Sequence, residues 1–207
     1  TTLLIGAGSE LWLKGSHLGS LDLTVDGVLK VVGVAGDVNL DANINTASTG
    51  VVTVEIVQDT NISSGSFTAV RDFVVADGQK LSLTAEQADA MATKNAGDDT
   101  SPLGTVTGAG TVNVLNLEAV LDADLRTLKT AGFITAEFSG SHTFTGYLGQ
   151  AHVIVAAGGV MTIDAQYATG HYIEGAAGTV DAVGGSIILT GLDTYDGSVD
   201  LSHIVAG

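Results

Sequence analysis

This sequence predicts a mainly β fold: a parallel β-solenoid of degenerate repeats carrying one short helix, with a β-sandwich as the alternative. Three observations predict it. Apolar and polar residues alternate over short runs, each bounded by glycine. Those runs return along the chain as related copies. The apolar content is Val, Ala, Leu and Ile beside abundant Thr. Aromatics are only 5% and glycines number 28, a mixture suited to pleated strands and frequent turns. A period of two does not separate parallel from antiparallel pairing, and this keeps the sandwich open.

Taken in order, "LLIGAGSE" (3–10) mimics the start of a dinucleotide-binding turn but lacks the third glycine and the following helix. "LGSLDLTVDGVLKVVG" (18–33) reads as strand, Gly turn, strand. It returns as "LGQAHVIVAAGGVMTID" (148–164) and more loosely as "RDFVVADGQKLSLTA" (71–85). "GDVNLDANIN" (36–45) sets Asp37, Asn39, Asp41, Asn43 and Asn45 against Val38, Leu40, Ala42 and Ile44. An EF-hand loop needs Gly at its sixth position and Glu at its twelfth, where this chain has Ala42 and Ser48, so the segment reads as a strand. "LTAEQADAMATKNAGDDTSPLG" (83–104) reads as the short helix and a loop. Thr84 is its N-cap, with Gln87 three residues on and an apolar stripe at Ala88, Met91 and Ala92.

A second recurring element is "GTVNVLNLEAVLDADLRTLKTAG" (110–132), matched by "GSIILTGLDTYDGSVDLSHIVAG" (185–207) and weakly by "VVTVEIVQDTNISSGSF" (51–67). Leu117, Leu121, Leu125 and Leu128 have helical spacing, but the partner copy carries Gly197 and Val199, so helix and bend both stay open there. The whole of 1–207 is read as one repetitive β domain with approximate units 1–67, 68–132 and 133–207. Such units cannot bury their apolar faces alone and stack on one another.

The formal charge is −16, from 23 acids and 7 bases. That surface repels nucleic acid and anionic membrane, so neither is an expected partner. No cysteine offers a disulfide or a thiolate metal site. No apolar run approaches the ~20 residues of a membrane-spanning helix, so membrane insertion is not expected. The chain opens at Thr1 without a signal-peptide pattern, as a processed or excised piece would.

The segments "LSLTAEQADAM", "GAGTVNVLNLEAVLDADLRTL" and "GGVMTIDAQYATG" carry a resemblance. They are similar to the repeat regions of large secreted bacterial surface proteins, adhesin-like and surface-layer-like chains. The likeness covers roughly residues 70–207 and, more weakly, 15–67. It implies an extracellular or cell-surface setting and a structural or adhesive role without enzymatic activity.

Candidate sites follow from the same residues. Oxygen ligands for calcium cluster at Asp193, Asp196 and Asp200 in "DTYDGSVD", at Asp37, Asn39 and Asp41, and at Asp98 and Asp99. Each group is also what a solvated turn or strand face looks like, and no cofactor other than calcium is expected. Histidines 17, 142, 152, 171 and 203 never reach a metal-binding spacing, and no nucleophile elbow or phosphate loop is present. Acid pairs on strands meet the 5–9.5 Å spacing of glycosidases too easily to identify one. A polysaccharide-acting enzyme is therefore the third reading. A calcium-assisted adhesive or glycan-binding module, with surface glycans as a partner, is the second. The first is a subunit or segment of an extracellular filament, surface layer or adhesin stalk. Read in a circle, Gly207 followed by Thr1 restores the internal repeat order. Copies of the chain, or adjoining repeats, are thus the expected partners, meeting head to tail through Thr1, Thr2, Leu3, Leu4, Ile5, Ile204 and Val205.

Overall fold

The computed structural model describes residues 2–18, 20–34, 40, 44–45, 50–67, 70–93, 104–130, 132–178, 183–195 and 197–205. They fall into two compact units. One comprises Thr1–Leu83, Lys94–Val112 and Lys129–Gly132, the other Thr84–Thr93, Asn113–Leu128 and Phe133–Gly207.

In the first unit, β1 (Thr2–Ile5), β3 (Asp22–Val25) and β5 (Ile44–Asn45) pair in that order, all parallel. A second sheet runs β2 (Glu10–Lys14), β4 (Val28–Val32), β6 (Val51–Ile56), β8 (Asp72–Val75), β10 (Thr105–Gly108), again parallel throughout. Strand β7 (Thr60–Asn61) pairs with β9 (Lys80–Thr84) in the same sense. A one-turn helix, α1 (Gly15–Leu18), follows β2. Each strand meets the chain again about 20 residues later, as Thr2 opposite Asp22 and Thr60 opposite Leu81, which is the lower end of repeat periods. The step from β8 to β10 is longer, Asp72 opposite Thr105, because a helix is inserted between them in sequence.

The Gly turns join strands of different sheets. Gly27 lies between β3 and β4, which belong to separate sheets, so the turn closes no hairpin. Its amide donates to Ile5 O, and a Cβ there would sit 2.4 Å from the oxygens of both Gly6 and Ser9. Only glycine lets one turn rest so closely on the next. Gly108, with φ +107°, has the same requirement more strictly: its Cβ would come 2.2 Å from Val75 O.

Alternation supplies the core. Strand β6 is half-buried and buried by turns, and Leu29, Val31, Val54, Ile56, Phe73 and Val75 are closed to solvent. Each such side chain contributes on the order of 1.5–3 kcal/mol of burial. Thr60 is buried but satisfied, its hydroxyl donating to Val34 O at 2.6 Å.

Strand β11 (Thr111–Leu115) leads into the second unit. There β12 (Ile134–Phe138), β14 (His152–Val155), β16 (Ile173–Gly175) and β18 (Ile204–Val205) pair in parallel. So do β13 (Ser141–Phe144), β15 (Val160–Asp164) and β17 (Ser186–Thr190). Phe138, Phe144, Val153, Met161, Ile163 and Ile173 fill the core. The expected helix is α2 (Ala85–Thr93), and its reciprocal cap is present: Thr84 N donates to Gln87 Oε1 and Gln87 N to Thr84 Oγ1. A further short helix, α3 (Ala165–Ala168), is N-capped by Asp164.

Residues 117–128 resolve the open choice towards bend. Only Leu117–Ala119 makes a 3₁₀ turn, entered through Asn116 in the left-handed region. Leu125 N then donates to Tyr147 O, and Tyr147 N donates to Ala123 O. These ladder bonds engage the donors and acceptors that a helix would need, while Leu117, Leu125 and Leu128 stay buried. Most of "GDVNLDANIN" lies outside the described residues; of it, Leu40 is buried and Ile44–Asn45 form β5.

Candidate functional site: the open strand edges

The first unit begins with edge strands whose core-facing side chains Leu3, Leu11 and Leu13 are less covered than the residues they face, while Ile5 at the end of β1 is buried. Leu3 lies opposite Leu23; Leu23 is 2% exposed and Leu3 37%. Leu11 and Leu13 of β2 are half-buried, whereas their partners Leu29 and Val31 are closed off completely. Leu4, on the opposite face of β1, is 63% exposed. On the outer face of β2, Trp12 donates to Glu10 at 2.5 Å and lies 4.4 Å beneath the Lys30 ammonium. Lys30 also sits 3.4 Å from Glu10, and Lys14 is exposed.

The second unit ends in the same manner. On β17, Ile187 and Leu189 are half-buried, while Met161 and Ile163, the residues they face on β15, are closed to solvent. Ile188, pointing the other way, is 49% exposed. On β18, Ile204 is half-buried opposite a fully buried Ile173, and Val205 is exposed. A parallel edge also leaves every second backbone N–H and C=O without a ladder partner, which is the property that recruits further strands.

The self-association residues named from sequence therefore lie on edges: Thr2–Ile5 form β1 and Ile204–Val205 form β18. Thr1 lies outside the described residues. Sequence reasoning did not name β17 among the association residues, although its Ile-Ile-Leu run is an apolar triplet without alternation, as a strand with two apolar faces would be.

The calcium candidates are mostly beyond description: Asp37, Asn39, Asp41, Asp98, Asp99 and Asp196 lie outside the described residues. Asp193 sits exposed in a turn. Asp200 accepts from Ser202 Oγ at 2.7 Å and Ser202 N at 3.0 Å, and these bonds hold its carboxyl below the usual aspartate range. That is the geometry of a capped turn. Among the described residues, no three His, Asp or Glu side chains come together as a metal would need.

Three other clusters on the second unit were not foreseen. His152 at the start of β14, Tyr172 just before β16 and His203 just before β18 stack in turn, with centroids 5.1 and 4.4 Å apart. His152 Nε2 is 3.3 Å from Glu174 Oε2 but off the line of a hydrogen bond. Asp124 binds Arg126 through both oxygens, and this pairing lowers the Asp124 pKa and raises that of Arg126. The guanidinium also lies 4.0 Å over Tyr147. Finally, a shallow cavity of about 240 Å³ is bordered by Glu118 and Glu137. Both carboxylates are engaged, Glu118 by Ser139 N and Oγ and Glu137 by Asn113 Nδ2. Set against protein-family models, curated proteins and solved structures, the chain finds no match in any of the three.

Proposed function

We propose that the chain is a parallel β-solenoid segment with a structural role, a subunit or section of an extracellular surface assembly that associates head to tail. The observation that supports this reading is the step in exposure at the two edges. Leu3 against Leu23, and Ile187 and Leu189 against Met161 and Ile163, show core positions covered by one neighbouring strand instead of two. In a stacked architecture the missing cover is another coil. The acidic, cysteine-free composition suits a secreted surface material, and the resemblance to surface-protein repeats points the same way.

Sedimentation velocity over a concentration series tests the reading, with electron microscopy of the concentrated sample. Copies should add one at a time into linear species. Removal of residues 1–8 should leave a folded monomer by circular dichroism that no longer lengthens. The reading fails if the intact chain stays monomeric at high concentration, or if the shortened chain assembles equally well.

A further inference from the structure

Resting on that reading, we propose that the acceptor for the neighbouring copy's first strand is β17 rather than β18. The neighbour's Thr2–Ile5 adds as a parallel strand in the register Thr2 on Ser186, Leu3 on Ile187, Leu4 on Ile188 and Ile5 on Leu189. Four observations lead there.

Both edges belong to wholly parallel three-stranded sheets, β1 to one and β17 to the other, and each is the outermost strand of its sheet. An added strand can therefore keep the direction of the rows it joins. The inward pattern also agrees. Leu3 and Ile5 face the buried Leu23 and Val25, and Ile187 and Leu189 face the buried Met161 and Ile163. A slip of one residue would turn one set outward.

The third observation selects the strand. On most strands the outward positions of these sheets are polar, such as Asp22 and Thr24 on β3 or Thr162 and Asp164 on β15. Val160, Leu4 and Ile188 break that rule, and of these Leu4 and Ile188 are exposed, at 63% and 49%, whereas Val160 is half-buried. The proposed register sets Leu4 and Ile188 directly opposite each other, where a cross-strand apolar pair forms, and sets Thr2 against Ser186. Among the described residues, strand β18 offers only Ile204 and Val205, too few for this register. Fourth, no Lys or Arg occurs beyond Lys129, whereas Lys14 stands exposed on the strand that follows β1. A segment without bases thus meets one whose β2 carries the exposed Lys14 alongside Glu10. The occupant is a second copy of this chain.

The chain has no native cysteine, so single cysteines report the register cleanly. Opposed residues of paired strands lie within the span of a disulfide. A mixture of Leu4→Cys and Ile188→Cys chains, mildly oxidised, should give covalent dimers at least ten times faster than Leu4→Cys mixed with Val205→Cys. Because both native side chains point to solvent, the monomer fold is left intact. Leu4→Lys and Ile188→Glu should each weaken association about tenfold or more, and mixing the two variants should restore it. Faster cross-linking to Val205→Cys, or association indifferent to Leu4→Lys, overturns the β17 register while leaving head-to-tail assembly standing. If the unsubstituted chain does not associate at all, the structural reading falls and this register with it.

Discussion

His171 illustrates how a single side chain ties this fold to pH. It precedes the ring ladder, its amide donates to Ala168 O, and burial lowers its pKa from the ordinary histidine value. The folded state resists a proton that the unfolded chain accepts below about pH 6.5. Its contribution to stability is therefore complete above that pH and is lost progressively as pH falls towards the depressed folded value. Thermal midpoints at pH 7.5 and 5.5 should show a drop for the native chain and a smaller drop for His171→Gln. An equal drop in both would mean that His171 does not carry the effect. The residue scale is also where the sequence was least legible. His171, His152 and His203 were weighed for metal spacing along the chain, whereas the ring neighbours of His152 and His203 are set by strand-to-strand registry. His152 and Tyr172 meet because Val153 pairs with Ile173. No local pattern states that pairing.

Among the elements, α2 was the most legible, since a 3.6-residue stripe and a reciprocal cap are both local signals. Ala88, Met91 and Ala92 are buried as the stripe requires. The cap has a measurable weight. Thr84→Ala removes the hydroxyl that accepts from Gln87 N and should cost about 1 kcal/mol in denaturant unfolding, while Thr84→Ser should retain most of it. No change on Thr84→Ala would show that packing alone holds the helix. The strands were legible as strands because alternation is local too, but their direction was not. What fixes it is that Gly27 and its counterparts carry the chain from one sheet to the next. A Gly turn within a hairpin would leave the same letters. Residues 117–128 mislead for a related reason. Leucines three to four residues apart fit a helix, yet backbone bonds with Tyr147 hold Ala123–Leu125 in a bend instead.

For the molecule as a whole, a charge of −16 opposes any contact between copies. The proposed head-to-tail addition would have to overcome repulsion that neutral strand edges would not feel, and this gives the direction of the salt effect it predicts. At ~0.01 M ionic strength charges interact over about 30 Å, and at ~0.15 M over about 8 Å. Raising salt across that range should strengthen association, the opposite of an interface held mainly by ion pairs. Divalent cations should do the same at lower concentration, as counterions to a dense acidic surface. Screening alone would give calcium no advantage over magnesium. Calcium and magnesium chlorides at equal ionic strength should then promote association equally. Unfolding midpoints in calcium and in EDTA should differ by only a few degrees. Loss of the fold on chelation, or assembly triggered by micromolar calcium and not by magnesium, would defeat the screening account. Either result would direct attention to Asp37, Asn39, Asp41, Asp98, Asp99 and Asp196, the acidic and amide residues outside the described chain.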